Sequence, residues 1–175
     1  MVLDKNKLAD IQNYIKQNYV EPERIIFAER SCGSKPLDND FSKQYSLYDD
    51  VSGLKKRVKS NINDSWQEAL FHIIDTKFLD EVEVYKRGGL TKQTFSKIRS
   101  NSDYHPDKDT AIRLCIGLRL NLDETLDLLG KAGYTLSNSI ERDLIVKYFI
   151  ENKEYDIYSI DSVFEELGFK TFLKY

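Results

Sequence analysis

Cysteine, proline and glycine are all scarce in this chain, and each shortage removes a class of protein. The two cysteines, Cys32 and Cys115, stand far apart with no CxxC or Cys/His spacing, so neither a disulfide framework nor a zinc site is signalled. Cys115 reads as a core residue and Cys32 as a loop thiol. With 3 prolines and 8 glycines beside 41% hydrophobic and 12% aromatic residues, the chain has enough apolar material to offset its conformational entropy, which argues against general disorder. No repeat and no low-complexity tract is present. No stretch approaches 18 apolar residues, and Asp4, Lys5, Lys7 and Asp10 interrupt the start. No membrane association is therefore expected, and a cytoplasmic location is.

Catalytic signatures are missing as well. The sequence holds no GxGxxG, P-loop, GxSxG or HExxH motif, and nothing groups a nucleophile, a base or metal ligands. An enzyme is not expected, nor is a cofactor or a metal. The two histidines, His72 and His105, have no partner motif and read as structural. Asp107, Asp109, Asp123 and Glu124 fall at helix starts, where capping accounts for them.

What is present is one helical chain with an uneven charge. A length of 175 residues suits one core, or one domain with a smaller annex. The net charge of −3 argues against a protein that coats nucleic acid non-specifically, because counterion release needs a concentrated basic surface. Lys and Arg number 11 against 9 Asp and Glu in residues 1–60, 6 against 6 in 61–100, and 9 against 14 in 101–175. The acidity sits in the last third.

Helical periodicity divides the chain into three parts. In residues 1–63, Leu3, Leu8, Ile11, Tyr14 and Ile15 predict an amphipathic helix over Asp4 to Asn18. A long linker follows, with a possible short strand at Arg24 to Phe27 and irregular chain from Ser31 to Asp64. Its basic run Lys55, Lys56, Arg57 and Lys59 is either a solvated turn or a phosphate-contacting arm.

In residues 64–136, Asp64 or Ser65 would cap a helix whose stripe is Trp66, Ala69, Leu70, Ile73, Ile74 and Phe78. A second helix spans Asp80 to Lys86, acidic at its start and basic at its end, and is closed by Gly88 and Gly89. Thr91 would cap a third over Lys92 to Arg99, with Phe95 and Ile98 inward and Lys92, Gln93 and Lys97 outward. Pro106 to Asp109 open a fourth, with Ala111, Leu114, Cys115 and Leu118 on one face. A fifth over Asp123 to Ala132 ends at Gly133.

In residues 137–175, helices are expected over Ile140 to Asn152 and Ile160 to Leu167, the latter capped by Ser159 and closed by Gly168. The aromatic residues there, among them Tyr148, Phe149, Phe164 and Phe172, suit a core or a subunit interface.

The stretch Glu81 to Ser100, EVEVYKRGGLTKQTFSKIRS, carries a resemblance. It is similar to the helix-turn-helix of the Xre or lambda-repressor-like family, with Val84, Gly88, Gly89, Leu90, Thr91, Phe95, Ser96 and Ile98 in that family's apolar, small, turn and cap positions. Pro106 to Leu129 resembles the fourth and fifth helices of the same family. The whole chain also looks like a group of bacterial proteins that share DVEVYK-like and FSKIRSN-like stretches and an acidic, aromatic tail, a likeness that names no function. The resemblance implies a mainly α protein: a five-helix lambda-repressor-like domain, an N-terminal helix with a long linker, and a C-terminal helical extension.

Where the family has a small residue for a close crossing of its second and third helices, this chain has Tyr85, whose ring would either splay the pair or turn outward. The connection Asn101 to Pro106 is also slightly longer than the family's turn, which would shift the fourth helix relative to the third.

By the same resemblance, the partner is double-stranded DNA and the third helix lies in its major groove. Gln93 would read a base edge, Lys92, Lys97 and Arg99 would meet phosphates or guanine, Thr91 would hold the helix start near a phosphate, and Thr94 is counted with them. The family binds as dimers, so a homodimer is expected, with the C-terminal helices as its interface. Lys92, Gln93 and Lys97 are also what any solvated helix carries, and Arg99 could pair with Asp103 instead. The alternative function is an adaptor that keeps the helix-turn-helix scaffold and binds a protein partner rather than DNA.

Overall fold

The computed structural model describes residues 5–21 and 65–173. The expectations for the strand at Arg24 to Phe27, the thiol Cys32 and the basic run Lys55 to Lys59 fall outside those residues. Among the described residues the fold is mainly α, with eight helices and no strand: α1 Lys5–Asn18, α2 Trp66–Thr76, α3 Glu81–Arg87, α4 Lys92–Ser100, α5 Lys108–Gly117, α6 Leu122–Lys131, α7 Glu141–Glu151 and α8 Ile157–Glu166. No helix among them is long and apolar enough to cross a membrane.

Most of the helix starts follow from side-chain caps. Ser65 and Asn121 form reciprocal capping boxes with Glu68 and Glu124, while Asp80, Thr91 and Asp107 each accept a hydrogen bond from a first-turn N–H. Each such cap supplies about 1 kcal/mol by satisfying an otherwise orphaned donor. The cap of α8 differs from expectation. Asp156, not Ser159, caps it, because its carboxylate receives both the Tyr158 and Ser159 N–H groups, and the helix starts three residues early.

Two helices form the centre. In α5, Ala111, Ile112, Leu114, Cys115 and Ile116 are all buried, and α7 buries Leu144, Ile145, Val146, Phe149 and Ile150. A helix apolar on so many sides needs neighbours on each of them. Helix α5 packs on α3 and α6, and α7 packs on α1, α6 and α8. The thiol of Cys115 is core, as expected, and burial pushes its pKa up to about 12.

Helix α1 folds onto α7 of its own chain. Ile11 is fully buried, Tyr14 meets Tyr148 edge-on at 5.4 Å and donates to Glu151 at 2.8 Å, and Lys7 pairs with Glu154 while lying over the Phe149 ring.

The crossing of α3 over α5 is unusually close. A Cβ on Gly117 would stand 2.3 Å from the Val84 carbonyl oxygen, and one on Gly88 would stand 2.6 Å from that of Arg113. Only hydrogen fits at these two points.

Phe78 departs from its expected place in the α2 stripe. The helix ends at Thr76, Lys77 caps it, and the chain reverses at Phe78 with φ 52°, leaving that ring 95% exposed.

Candidate functional site

Helices α3 and α4 meet through a short turn whose geometry follows from its residues. Gly89 takes φ 62°, its N–H donates to the Lys86 carbonyl at 2.9 Å, and the Leu90 N–H donates to the Tyr85 carbonyl at 2.7 Å. Thr91 then caps α4, accepting from the Thr94 N–H at 3.2 Å, with the two threonine hydroxyls 2.9 Å apart.

The inner face of α4 is small. Phe95 and Ile98 alone are buried, and Phe95 is set between Phe71 of α2, edge-on at 5.9 Å, and Tyr85 of α3 at 5.5 Å. Tyr85 is half-buried against Phe95. Its ring fills the angle between α3 and α4, and the close crossing is made by α3 and α5 at Gly117 instead.

Polar groups hold both ends of this unit. Gln67 of α2 donates its amide to the carbonyls of Ile98, at 2.6 Å, and Arg99, at 3.0 Å, at the C-terminal end of α4. Arg113 of α5 donates Nε to the Gly88 carbonyl at 2.9 Å and Nη2 to that of Gly89. The guanidinium meets the negative end of the α3 dipole at the turn itself. Burial lowers the Arg113 pKa, and the charges of Asp161, Asp107 and Asp109 oppose that shift. Arg113 stands in the apolar run Ala111 to Gly117 and was not singled out from sequence, although a lone arginine among buried positions is the kind of residue that must find a partner.

The C-terminal segment also reaches the turn. Asp161 is buried and accepts the N–H groups of Phe172, at 2.7 Å, and Leu173, at 2.9 Å. The Leu173 side chain then lies against Gly89, where a Cβ would come within 2.5 Å of it. Arg142 lies over the rings of Phe164 and Phe172 at 4.7 and 4.6 Å, donates to the Lys170 carbonyl and pairs with Asp109 at 2.7 Å. These aromatic residues form core within the chain, and they tie α7 and α8 to α5.

The six residues singled out from sequence are all on α4 or its cap. Thr91, Lys92, Gln93, Lys97 and Arg99 are exposed and Thr94 is partly so. Lys92, Gln93 and Lys97 form no side-chain hydrogen bond or ion pair with any described residue. Arg99 is different: it makes a two-pronged pair with Glu81 of α3, at 2.7 and 2.8 Å, and lies over the Phe71 ring. Asp103 is not its partner. The structure thus brings Lys92, Gln93 and Lys97 together as a free face and commits Arg99 to α3. Comparison with protein-family models, with curated proteins and with solved structures yields no match to this chain.

Proposed function

We propose that the chain is a DNA-binding transcription regulator in which α2 to α6 form a lambda-repressor-like domain, α3 and α4 are its helix-turn-helix, and α4 enters the major groove. The observation that carries this reading is the asymmetry of α4. Its inner face is locked by Phe95, Ile98 and the bonds from Gln67, while Lys92, Gln93 and Lys97 stand outward with no partner among the described residues. A rigid helix presenting one amide and two ammonium groups matches an adenine edge flanked by phosphates. Thr91 and Thr94 would sit at the phosphate beside the helix start. As one such module binds weakly, the protein would act as a homodimer on paired half-sites.

Selection from a random duplex pool at low and moderate salt tests this directly. A paired motif should be enriched, retention should fall steeply with salt, and the double variant Gln93→Ala, Lys97→Ala should lose about 1–3 kcal/mol per contact removed. No enrichment at either salt would sink the reading.

One observation favours an adaptor instead. Phe78 is 95% exposed and Val82 of α3 41% exposed, and Glu81 neutralises Arg99. Apolar groups beside a paired charge suit a protein partner more than a phosphate backbone. A specific protein recovered with the wild type and lost with Phe78→Ser, alongside no duplex enrichment, would establish that alternative.

A further inference from the structure

Six helices close through a residue of left-handed φ, and the residues placed there are not of one kind. Gly89, Gly133 and Gly168 occupy three of these positions, as sterics favour. Phe78, Arg119 and Lys153 occupy the others, at φ 52°, 52° and 56°, accepting a steric cost that glycine avoids. Arg119, just after α5, and Lys153, just after α7, line the same open cleft of about 360 Å³ with Tyr155 and Asp156.

We propose that this cleft binds a small molecule bearing a phosphate group, with Arg119 and Lys153 as its two cationic contacts. Both side chains are exposed and neither forms a hydrogen bond or ion pair with any described residue, so two cations face one volume lined by a single carboxylate, that of Asp156. That carboxylate keeps its charge, but its hydrogen-bonding capacity is taken up within the chain. It accepts the N–H groups of Tyr158 and Ser159 and the Ser159 hydroxyl at 2.6 Å, at the start of α8. Tyr155 donates its hydroxyl to the Leu120 carbonyl at 3.0 Å, which fixes its ring as a wall of the cleft.

The volume lies within the range of small-molecule sites and exceeds what a bare phosphate fills. The cleft therefore leaves room for an organic part beside the phosphate. A cation at a helix C-terminus also favours the helix dipole, but a residue in the last turn supplies that without strain, as Lys131 does in α6 ahead of Gly133. The dipole does not account for both cations taking the strained position and facing one cleft. This site is independent of whether α4 binds DNA.

The test titrates inorganic phosphate into the full chain at constant ionic strength, with acetate in parallel, and follows backbone amides by NMR. Phosphate should give saturable shifts centred on Arg119, Leu120 and Lys153 to Asp156, and acetate at least tenfold weaker ones. Arg119→Gly and Lys153→Gly should each weaken phosphate binding at least tenfold while melting no lower than wild type, because glycine relieves the left-handed backbone. Absence of saturation, shifts centred elsewhere, equal response to acetate, unchanged affinity in the variants, or variants that melt below wild type would each overturn the proposal.

Discussion

Helices α4 and α7 are of similar length and are embedded in opposite ways. Over nine residues α4 buries only Phe95 and Ile98, whereas α7 over eleven buries Asp143, Leu144, Ile145, Val146, Phe149 and Ile150. The ends are reversed too. Thr91 caps α4, while Ile140 gives α7 no side-chain cap. Packing on α1, α6 and α8 holds α7, and α4 is held by one ring, one aliphatic side chain and the polar groups at its ends. A helix secured at its ends and along one narrow stripe leaves the rest of its surface exposed, and a helix enclosed on most sides serves as scaffold.

The sharpest way to break this contrast is at Phe149, which is fully buried between α7 and α1. Phe149→Ala should cost about 3–5 kcal/mol through lost burial and the cavity left behind. Urea unfolding should show it as a lower midpoint at unchanged slope; a loss below about 1 kcal/mol would mean that α7 is not the scaffold described. Gly117→Ala comes next. Its Cβ meets the Val84 backbone rather than a side chain that can swing away, so α3 must move off α5 at about 1–3 kcal/mol. As α4 is attached through α3 and Gln67, the amide shifts should spread through α3, the turn and α4. Shifts confined to α5 would show that the crossing has slack.

How much of this was legible in the sequence depends on the range of each contact. Caps and apolar stripes act within four residues, so the positions of α2 to α7, the core role of Cys115, the inward pair Phe95 and Ile98 and the Gly133 terminus could be read directly. The Arg99–Glu81 pair could not, because Asp103 is nearer in the chain and only the angle between α3 and α4 decides against it. Arg113, Gly117 and Asp161 take their roles from groups brought together by the fold, and no local period marks them. Phe78 fits the α2 stripe by spacing and fails because the helix stops two residues before it. On α4 itself, the outward position of Lys92, Gln93 and Lys97 was legible, since an amphipathic helix has one way to turn.

Acid should act on the capped starts of other helices and leave those of α4 and α7 aside. Three carboxylates are held below their usual pKa, and all of them stand in the first turn or cap of α2, α5 or α6. The Ser65 N–H and hydroxyl lower Glu68. For Asp107 and Glu124, burial pushes the other way and is outweighed, by the Thr110 hydrogen bonds and by the Lys77 and Asn121 hydrogen bonds respectively. A carboxylate with a lower pKa in the folded state contributes stability above its unfolded value, about 3.9 for Asp and 4.3 for Glu, and loses it as pH falls through the folded value. Amides in the first turns of α2, α5 and α6 should therefore lose hydrogen-exchange protection as pH falls from about 5 to 3. Protection in those turns that stays level across that range would show that the three caps carry little of the stability of their helices.

The smallest expected effects test the ends of the two helices, and there the contrast is most exposed. Thr91→Ala removes the cap of α4, at a cost of about 1 kcal/mol. With two buried side chains to hold it, α4 should fray locally, so exchange should speed in its first turn more than in α5 or α7. The converse change is Ile140→Ser. Ile140 is exposed, has extended backbone at φ −128° and ψ 111°, and gives the helix that follows no side-chain cap hydrogen bond. A serine there can accept from the α7 first turn and should add a few tenths to about 1 kcal/mol, spread over the whole unfolding transition because α7 does not unfold alone. Fraying of α7 in the wild type comparable to that of α4 in Thr91→Ala would remove the distinction, since packing would then secure neither helix better than its cap does.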